Sequence, residues 1–127
     1  MKNFSDTKTT IHDLKAKILE FTQERDWAQF HTPKNLSMSI AIEAAELMEK
    51  FQFLTSEESK EIVKTNREEI QEELADVLTY VVSFANACNI DLAAAFEDKM
   101  HKNSKKYPAE LCKGSYGKYT KLCKKAS

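Results

Sequence analysis

Apolar residues recur at helical spacing along most of this chain, and few residues interrupt them. Between Leu36 and Leu54 they fall at steps of three and four, which places them on one face of an α-helix. The 127 residues include only two glycines and two prolines, too few for the turns of a β-rich architecture. The pattern predicts an all-α fold, and the length fits one domain with its own hydrophobic core.

Capping residues divide this pattern into a bundle of four to five helices. The candidate caps are a threonine in Thr9-Thr10 for the first long helix, Asn35 for the second and Asp91 for the fourth. The expected bounds of the long helices are 11–25, 36–54, 66–88 and 92–105, with a short helix or acidic linker after Thr55. We expect a single domain over 1–127, with a core from about residue 10 to 108 and a lysine-rich tail at 109–127.

The charges of the chain nearly cancel, since 19 basic and 20 acidic residues give a net charge of −1. This balance favours neither a nucleic-acid polymer nor a membrane surface as partner. The cysteines Cys88, Cys112 and Cys123 form no CxxC pair, and their odd number does not fit a disulfide framework. With no long apolar run and a polar N-terminus, we expect a cytoplasmic protein with reduced thiols.

Two of the predicted helices carry carboxylates where core contacts are expected. Glu43 lies inside the apolar stripe of the second helix with Glu46 three residues later, and Glu73 and Asp76 repeat this spacing on the third helix. If these helices pack antiparallel, the four carboxylates converge. An ion left unpaired in a partly desolvated seam costs several kcal/mol. Protonation, basic partners or a divalent cation must therefore compensate.

A divalent cation is the remedy that the residue types favour. Lys50 and Arg67 are the bases that these two helices offer, and neither is in register to neutralise four acids. A ligand set made only of oxygen atoms suits Mg²⁺, with Mn²⁺ as a substitute. One ExxE pair is typical of a solvated helix face, whereas two pairs beside apolar stripes favour a metal site.

Apolar residues also lie outside the main stripes. The expected core stripe of the third helix consists of Ile70, Leu74, Val77, Val81, Phe84 and Cys88. Leu78 and Val82 lie away from its centre, and Ile42 and Met48 occupy nearly opposite sides of the second helix. Such broad apolar coverage indicates burial against more than one neighbour, as in an oligomer.

Taken together, these motifs resemble the all-α nucleotide pyrophosphohydrolases of the MazG-like superfamily. The segments ERDWAQFHTPKNL, EELADVLTY and KMHKNSKKYPA are similar to its dCTP pyrophosphatase branch, and the resemblance runs from about Thr10 to Tyr119. It implies Mg²⁺-dependent hydrolysis of a nucleoside triphosphate, dCTP in the first place, to the monophosphate and pyrophosphate, in control of the nucleotide pool. The metal ligands and catalytic residues that it implies are Glu43, Glu46, Glu73 and Asp76.

The resemblance also implies a base pocket formed by aromatic residues. Trp27 is the expected stacking surface with His31 beside it, although Trp27 and Phe30, taken alone, are more typical of a core. Tyr80, one turn after the second acidic pair, is expected to face the nucleotide. Phe53 stands where the branch often carries tryptophan, so the aromatic wall remains without an indole N–H donor.

Residues on and after the fourth helix are the expected contacts to phosphate. Those that the resemblance implies are Lys99, Asn103 and Tyr107. The lysines around them, Lys102, Lys105 and Lys106, are explained equally well by the helix dipole, and Lys121 is a further candidate from the tail.

The family forms dimers and tetramers with sites between subunits. The resemblance therefore implies an active site between the second, third and fourth long helices, completed in a homotetramer built from two dimers. Two other functions stay open: a dUTP-specific or broad-specificity nucleoside triphosphate pyrophosphohydrolase, and a non-enzymatic helical module that binds basic partners.

Overall fold

The computed structural model describes residues 3–118 and 120–121, which form six α-helices. Their bounds are α1 Ile11–Glu24, α2 Pro33–Glu49, α3 Ser56–Thr65, α4 Arg67–Ala87, α5 Leu92–Lys106 and α6 Ala109–Cys112. A 3-10 helix, Ala28–Phe30, lies between α1 and α2. The predicted all-α fold is confirmed. The short helix after Thr55 is α3, α6 lies within the predicted tail, and Cys123 lies outside the described residues.

The start of α2 differs from the prediction. Thr32, not Asn35, is its cap, because the Thr32 hydroxyl accepts a hydrogen bond from the Asn35 N–H at 3.2 Å. Pro33 occupies the first helical position, where its missing N–H costs nothing. Asn35 Nδ2 instead donates to the Phe30 carbonyl at 2.9 Å. This bond ties the aromatic connection to α2. The helix also ends at Glu49 rather than at Leu54.

Two helices end in left-handed turns made without glycine. Asp26 after α1 has a φ of 53°, and Asn89 after α4 has a φ of 51°. Asp and Asn enter this region more readily than most residues because their short polar side chains bond locally. After α1, the Trp27 N–H donates to the Thr22 carbonyl at 3.0 Å, the long bond of a Schellman motif. The turn therefore places the Trp27 backbone against the last turn of α1.

In the compact unit that ends at Ile90, α4 is the central helix. It packs most extensively along α2, and α1 and α3 also contact it. The most deeply buried apolar side chains are Leu36 of α2 with Val82 and Ala85 of α4. This packing buries the second half of α4 more completely than the first.

The buried face of α4 is wider than the predicted stripe. Val82, expected off the stripe, is fully buried, whereas Leu74, expected in the core, is 57% exposed. The reason is that α1 covers the second half of α4, where Asn86 Nδ2 donates to the Lys15 carbonyl at 3.0 Å. The periodicity of α4 alone did not reveal this second neighbour.

The described residues from Asp91 onward form a second compact unit. Asp91 caps α5 as predicted, since its carboxylate accepts a hydrogen bond from the Ala94 N–H at 3.0 Å. In the described part of the chain, no single helix is long and apolar enough to cross a membrane. The pair α4 and α5 meets those criteria only when both are counted as one broken segment.

Truncation of the core should lower stability sharply. We expect Leu36→Ala to reduce the free energy of unfolding by about 3 kcal/mol, because Leu36 is 2% exposed and its loss leaves a cavity. Met38→Ala, on the same helix at 54% exposure, should cost less than about 0.5 kcal/mol. Urea unfolding followed by circular dichroism measures both. Equal losses in the two variants would contradict this account of the core.

Candidate metal and nucleotide site

The antiparallel packing of α2 and α4 brings carboxylates from both helices together. Glu43, Glu73 and Asp76 each offer one oxygen, and these oxygens all lie within 4.8 Å of one another. Seven residues after Glu43, the Lys50 Nζ lies 3.4 Å from Glu69 Oε2, a residue earlier on α4. The later part of α2 therefore meets the earlier part of α4, as the convergence of the acids requires.

Lys50 reaches further into this group than the sequence suggested. Its Nζ also lies 3.5 Å from Glu73 Oε1, so it pairs with one of the four predicted ligands. The ammonium is shared between Glu69 and Glu73. One shared charge cannot neutralise Glu43 and Asp76 as well.

Glu43 has the least favourable environment of these acids. Its Oε2 is buried and finds no hydrogen-bond partner among the residues that the structure describes. Burial, followed by interaction with Glu46, Asp76 and Glu73, raises the pKa of Glu43 above its ordinary value. A buried oxygen without a donor, facing other carboxylates, matches the oxygen ligand set that a hard divalent cation needs. The donor set therefore fits Mg²⁺.

Three of the four predicted ligands come together in this way. Glu46 is exposed, and its charge is one of the causes that raise the pKa of Glu43. It therefore borders the cluster of Glu43, Glu73 and Asp76, which we call the acidic cluster.

A cavity of about 530 Å³ opens beside the acidic cluster, a volume typical of small-molecule sites. Glu43 and Asp76 form part of its wall, together with the predicted base-pocket residues Trp27 and His31 and the predicted nucleotide contact Tyr80. The structure thus brings one charged and one aromatic group of predicted residues to the same cavity.

Trp27 is held at this cavity by its neighbours on α1. The Phe21 ring meets the indole edge to face, with ring centroids 5.7 Å apart and planes at 77°. The Arg25 guanidinium lies 3.7 Å from the centroid of Phe21 and donates to the Phe21 carbonyl at 3.0 Å. Trp27 remains 43% exposed, so it is a surface of the cavity rather than a core residue.

Several cavity residues were missed in the sequence. The polar ones are Lys17, Thr22, Thr79 and Ser83. Thr22 and Ser83 are buried polar residues. Ser83 follows Asp76 by seven residues, which places both on nearly the same line of α4. This spacing is visible in the sequence, but a hydroxyl residue within a helix does not by itself indicate a binding site.

Other predicted residues are not brought to the cavity by this unit. Phe53 is 90% exposed, and Phe30 is 58% exposed. The predicted phosphate contacts belong to the second unit, where Lys99 is exposed, Asn103 is half-buried and the Tyr107 ring has the Lys106 Nζ 5.8 Å from its centroid. Their roles in binding stay predictions, as does that of Lys121.

Comparison with known proteins identifies the family. The model of the MazG-like family matches residues 38–122. The chain belongs to the MazG-like family. This MazG-like protein is 44% identical to dCTP pyrophosphatase 1 of Homo sapiens over 115 residues, which is 89% of the chain and 68% of the human protein. It is 42% identical to dCTP pyrophosphatase 1 of Bos taurus over 118 residues, 91% of the chain and 70% of the bovine protein.

A solved structure supports the same assignment. The crystal structure of a pyrophosphatase from Archaeoglobus fulgidus superposes with a TM-score of 0.75 at 38% identity, covering 84% of this MazG-like protein and 99% of the archaeal chain. The resemblance predicted from the three sequence segments is confirmed, for the family and for its dCTP pyrophosphatase branch.

Neutralising Glu43 should stabilise the metal-free protein. Its pKa is raised on folding, so stability is greatest below the ordinary carboxyl pKa and is lost as pH rises through the raised value. Glu43→Gln removes this loss, and we expect a higher Tm than wild type at neutral pH in EDTA. The difference should vanish at a pH below the ordinary carboxyl pKa. Thermal scans at several pH values measure it, and a lower Tm at neutral pH would refute it.

Proposed function

We propose that this MazG-like protein is a Mg²⁺-dependent pyrophosphohydrolase that converts dCTP and water to dCMP and pyrophosphate, in control of the nucleotide pool. One observation carries the proposal: three carboxylate oxygens converge within 4.8 Å beside a cavity lined by Trp27 and Tyr80. Its relatives at 42–44% identity, named dCTP pyrophosphatase 1, support the choice of substrate.

Each group at the site has a task in this reaction. Glu43, Glu73 and Asp76 are positioned to hold the cation, with Mn²⁺ as a substitute for Mg²⁺. Bound Mg²⁺ supplies positive charge to phosphate oxygens and lowers the pKa of water. Glu46, exposed beside the cluster, is free to accept the proton of the attacking water. Trp27 offers its exposed face for stacking of the base.

The non-enzymatic alternative is less well supported. A solvated acidic surface for basic partners needs carboxylates with hydrated oxygens. Glu43 Oε2 is buried instead. A carboxylate oxygen that is shielded from water and faces other carboxylates favours a role in binding a cation over a role in a solvated surface for basic partners.

We also propose a homotetramer of two dimers in the cytoplasm. The family resemblance supports this assembly, and so do apolar side chains exposed on the helices of the acidic cluster. These are Ile42, Met48, Leu74 and Leu78, each between 45% and 61% exposed. Sedimentation of dilute protein with a parallel rate assay tests the proposal. A fully active monomer would contradict it.

Stabilisation of the fold by Mg²⁺ should require an intact acidic cluster, and so should turnover. At a hundred times its Kd, Mg²⁺ should stabilise the wild-type protein by about 2.7 kcal/mol. We expect Glu43→Gln to lose this gain and at least about 100-fold in kcat, since changes merely around a metal ligand cost up to that much. Glu49→Gln, an exposed glutamate on α2, is the matched control.

The assay measures pyrophosphate release from dCTP, dUTP, dTTP and the ribonucleotides, with Mg²⁺, with Mn²⁺ and with EDTA. Release from dCTP that persists in EDTA, or full activity of Glu43→Gln, would refute the proposed metal site. Equal rates for dCTP and dUTP would favour the broad-specificity alternative.

Lys99 provides a test of the predicted phosphate contacts. We expect Lys99→Ala to raise the KM for dCTP by about tenfold with little change in kcat, because a hydrogen bond to a charged group is lost in the ground state and in the transition state. Lys60→Ala, which removes an exposed lysine paired with Glu57, should leave KM unchanged. An unchanged KM in Lys99→Ala would assign this lysine to the helix dipole.

A further inference from the structure

We infer that Thr79 and Ser83 of α4 select cytosine, by accepting the two hydrogens of its exocyclic amino group. The inference rests on the proposed function and names the residues that set its substrate. Stacking on Trp27 cannot make this choice, because every base offers a π face to an aromatic ring.

The position of the two hydroxyls along α4 fits the length of a nucleotide. Asp76, Thr79 and Ser83 all line the 530 Å³ cavity. Seven residues of α-helix separate Asp76 from Ser83, a rise of about 10 Å. A nucleotide whose phosphates lie at Asp76 therefore places its base near Thr79 and Ser83.

Ser83 lines two neighbouring cavities. Ser83, Thr22 and His31 also line an adjoining cavity of about 120 Å³, which continues along α4 to Asn86. Ser83 is only 4% exposed and Thr22 only 6% exposed. A base that packs against these buried side chains loses contact with water on that side, so its polar groups there must find partners in the protein.

The hydroxyl hydrogens of both residues are already used within α4. Thr79 Oγ1 donates to the Ala75 carbonyl at 2.8 Å. Ser83 Oγ donates to the Thr79 carbonyl at 2.7 Å. Each oxygen therefore retains only acceptor capacity towards the cavity. Because the residues are four apart, their Cβ atoms lie about 5–6 Å from each other on one face of the helix. Two acceptors at this spacing match the two N–H bonds of one amino group.

This arrangement distinguishes the pyrimidines by their substituent at C4. Cytosine carries an amino group there, with two donors, whereas uracil and thymine carry a carbonyl oxygen. To donate to that oxygen, each hydroxyl must give up its bond to a helix carbonyl; otherwise acceptor faces acceptor. A site with buried acceptors rejects a ligand that leaves them unpaired.

The test compares hydroxyl-deleted variants with three nucleotides. Thr79→Val and Ser83→Ala each remove one acceptor, and Thr79→Ser keeps it. The substrates are dCTP, dUTP and the deoxyribonucleoside triphosphate of 2-pyrimidinone, which lacks any group at C4. Wild type should prefer dCTP to both others. Each deletion should lower the ratio of kcat/KM for dCTP to that for 2-pyrimidinone by about fivefold, the worth of one hydrogen bond.

Two controls separate this effect from general damage. Thr79→Ser should keep the wild-type ratio. Ser37→Ala, which removes an exposed serine hydroxyl that donates to the Lys34 carbonyl at 2.7 Å, should do the same. If Ser83→Ala does not fold, the kcat/KM ratio of Thr79→Val, at the less buried position, tests the assignment alone.

The outcomes distinguish this inference from the proposed function. Variants that hydrolyse dCTP with the wild-type ratio would overturn the assignment of Thr79 and Ser83 and leave the pyrophosphohydrolase in place. Wild-type protein that releases no pyrophosphate from any nucleotide would overturn both. A loss of dCTP preference in the deletions, with the dUTP rate kept or raised, would establish the assignment.

Discussion

The contact between α2 and α4 buries the carboxylate oxygen that has the least favourable environment in the acidic cluster, Glu43 Oε2. Glu43 occupies a position in the apolar stripe of α2, so forming the helix pair buries its Oε2 beside Glu73 and Asp76. Hydrophobic packing around Leu36 and Val82 must offset the cost of that burial. A cation that binds only the packed pair then stabilises the fold by the same contacts that prepare it for phosphate. Under the proposed function, fold stability and metal binding would therefore be linked through one interface.

Helix α4 also sets the distances within the site. Asp76, Tyr80 and Ser83 lie along one face of a continuous helix, so the spacing between the charged end and the hydroxyl end of the cavity is fixed by helical rise.

The aromatic wall comes from a connection rather than a helix, yet it is restrained. The turn at Asp26 holds the Trp27 backbone at its start, and the bond from Asn35 to the Phe30 carbonyl holds its end. Sites supported in this way keep their geometry better than sites on free loops.

Local patterns of the sequence predicted the helices and the two acidic pairs, because the spacing of apolar and charged residues follows directly from helical periodicity. The predicted start of α2 was wrong because proline disrupts the interior of a helix but is favoured at its first position, where Pro33 lies. The register of Lys50 and the exposure of Leu74 depend on which helices contact α4, and periodicity within one helix carries no such information. The hydroxyls of Thr79 and Ser83 were missed for a different reason. Both hydroxyls bond to backbone carbonyls of their own helix, as serine and threonine commonly do, and only the cavity beside them indicates a role in binding.

The charge balance of the acidic cluster bears on how substrate enters. Three carboxylates carry three negative charges when ionised, Lys50 supplies one positive charge, and a divalent cation supplies two. The cluster is then neutral before any nucleotide binds, so it offers no net attraction to the further negative charge of a triphosphate. Lys50 is moreover shared with Glu69, which reduces what it gives to the cluster. In the proposed Mg²⁺-dependent reaction, the phosphates would therefore need to arrive with a cation of their own or to meet additional basic groups. A nucleotide that binds as its Mg²⁺ complex satisfies this requirement, since the complex carries less charge to desolvate at the cavity.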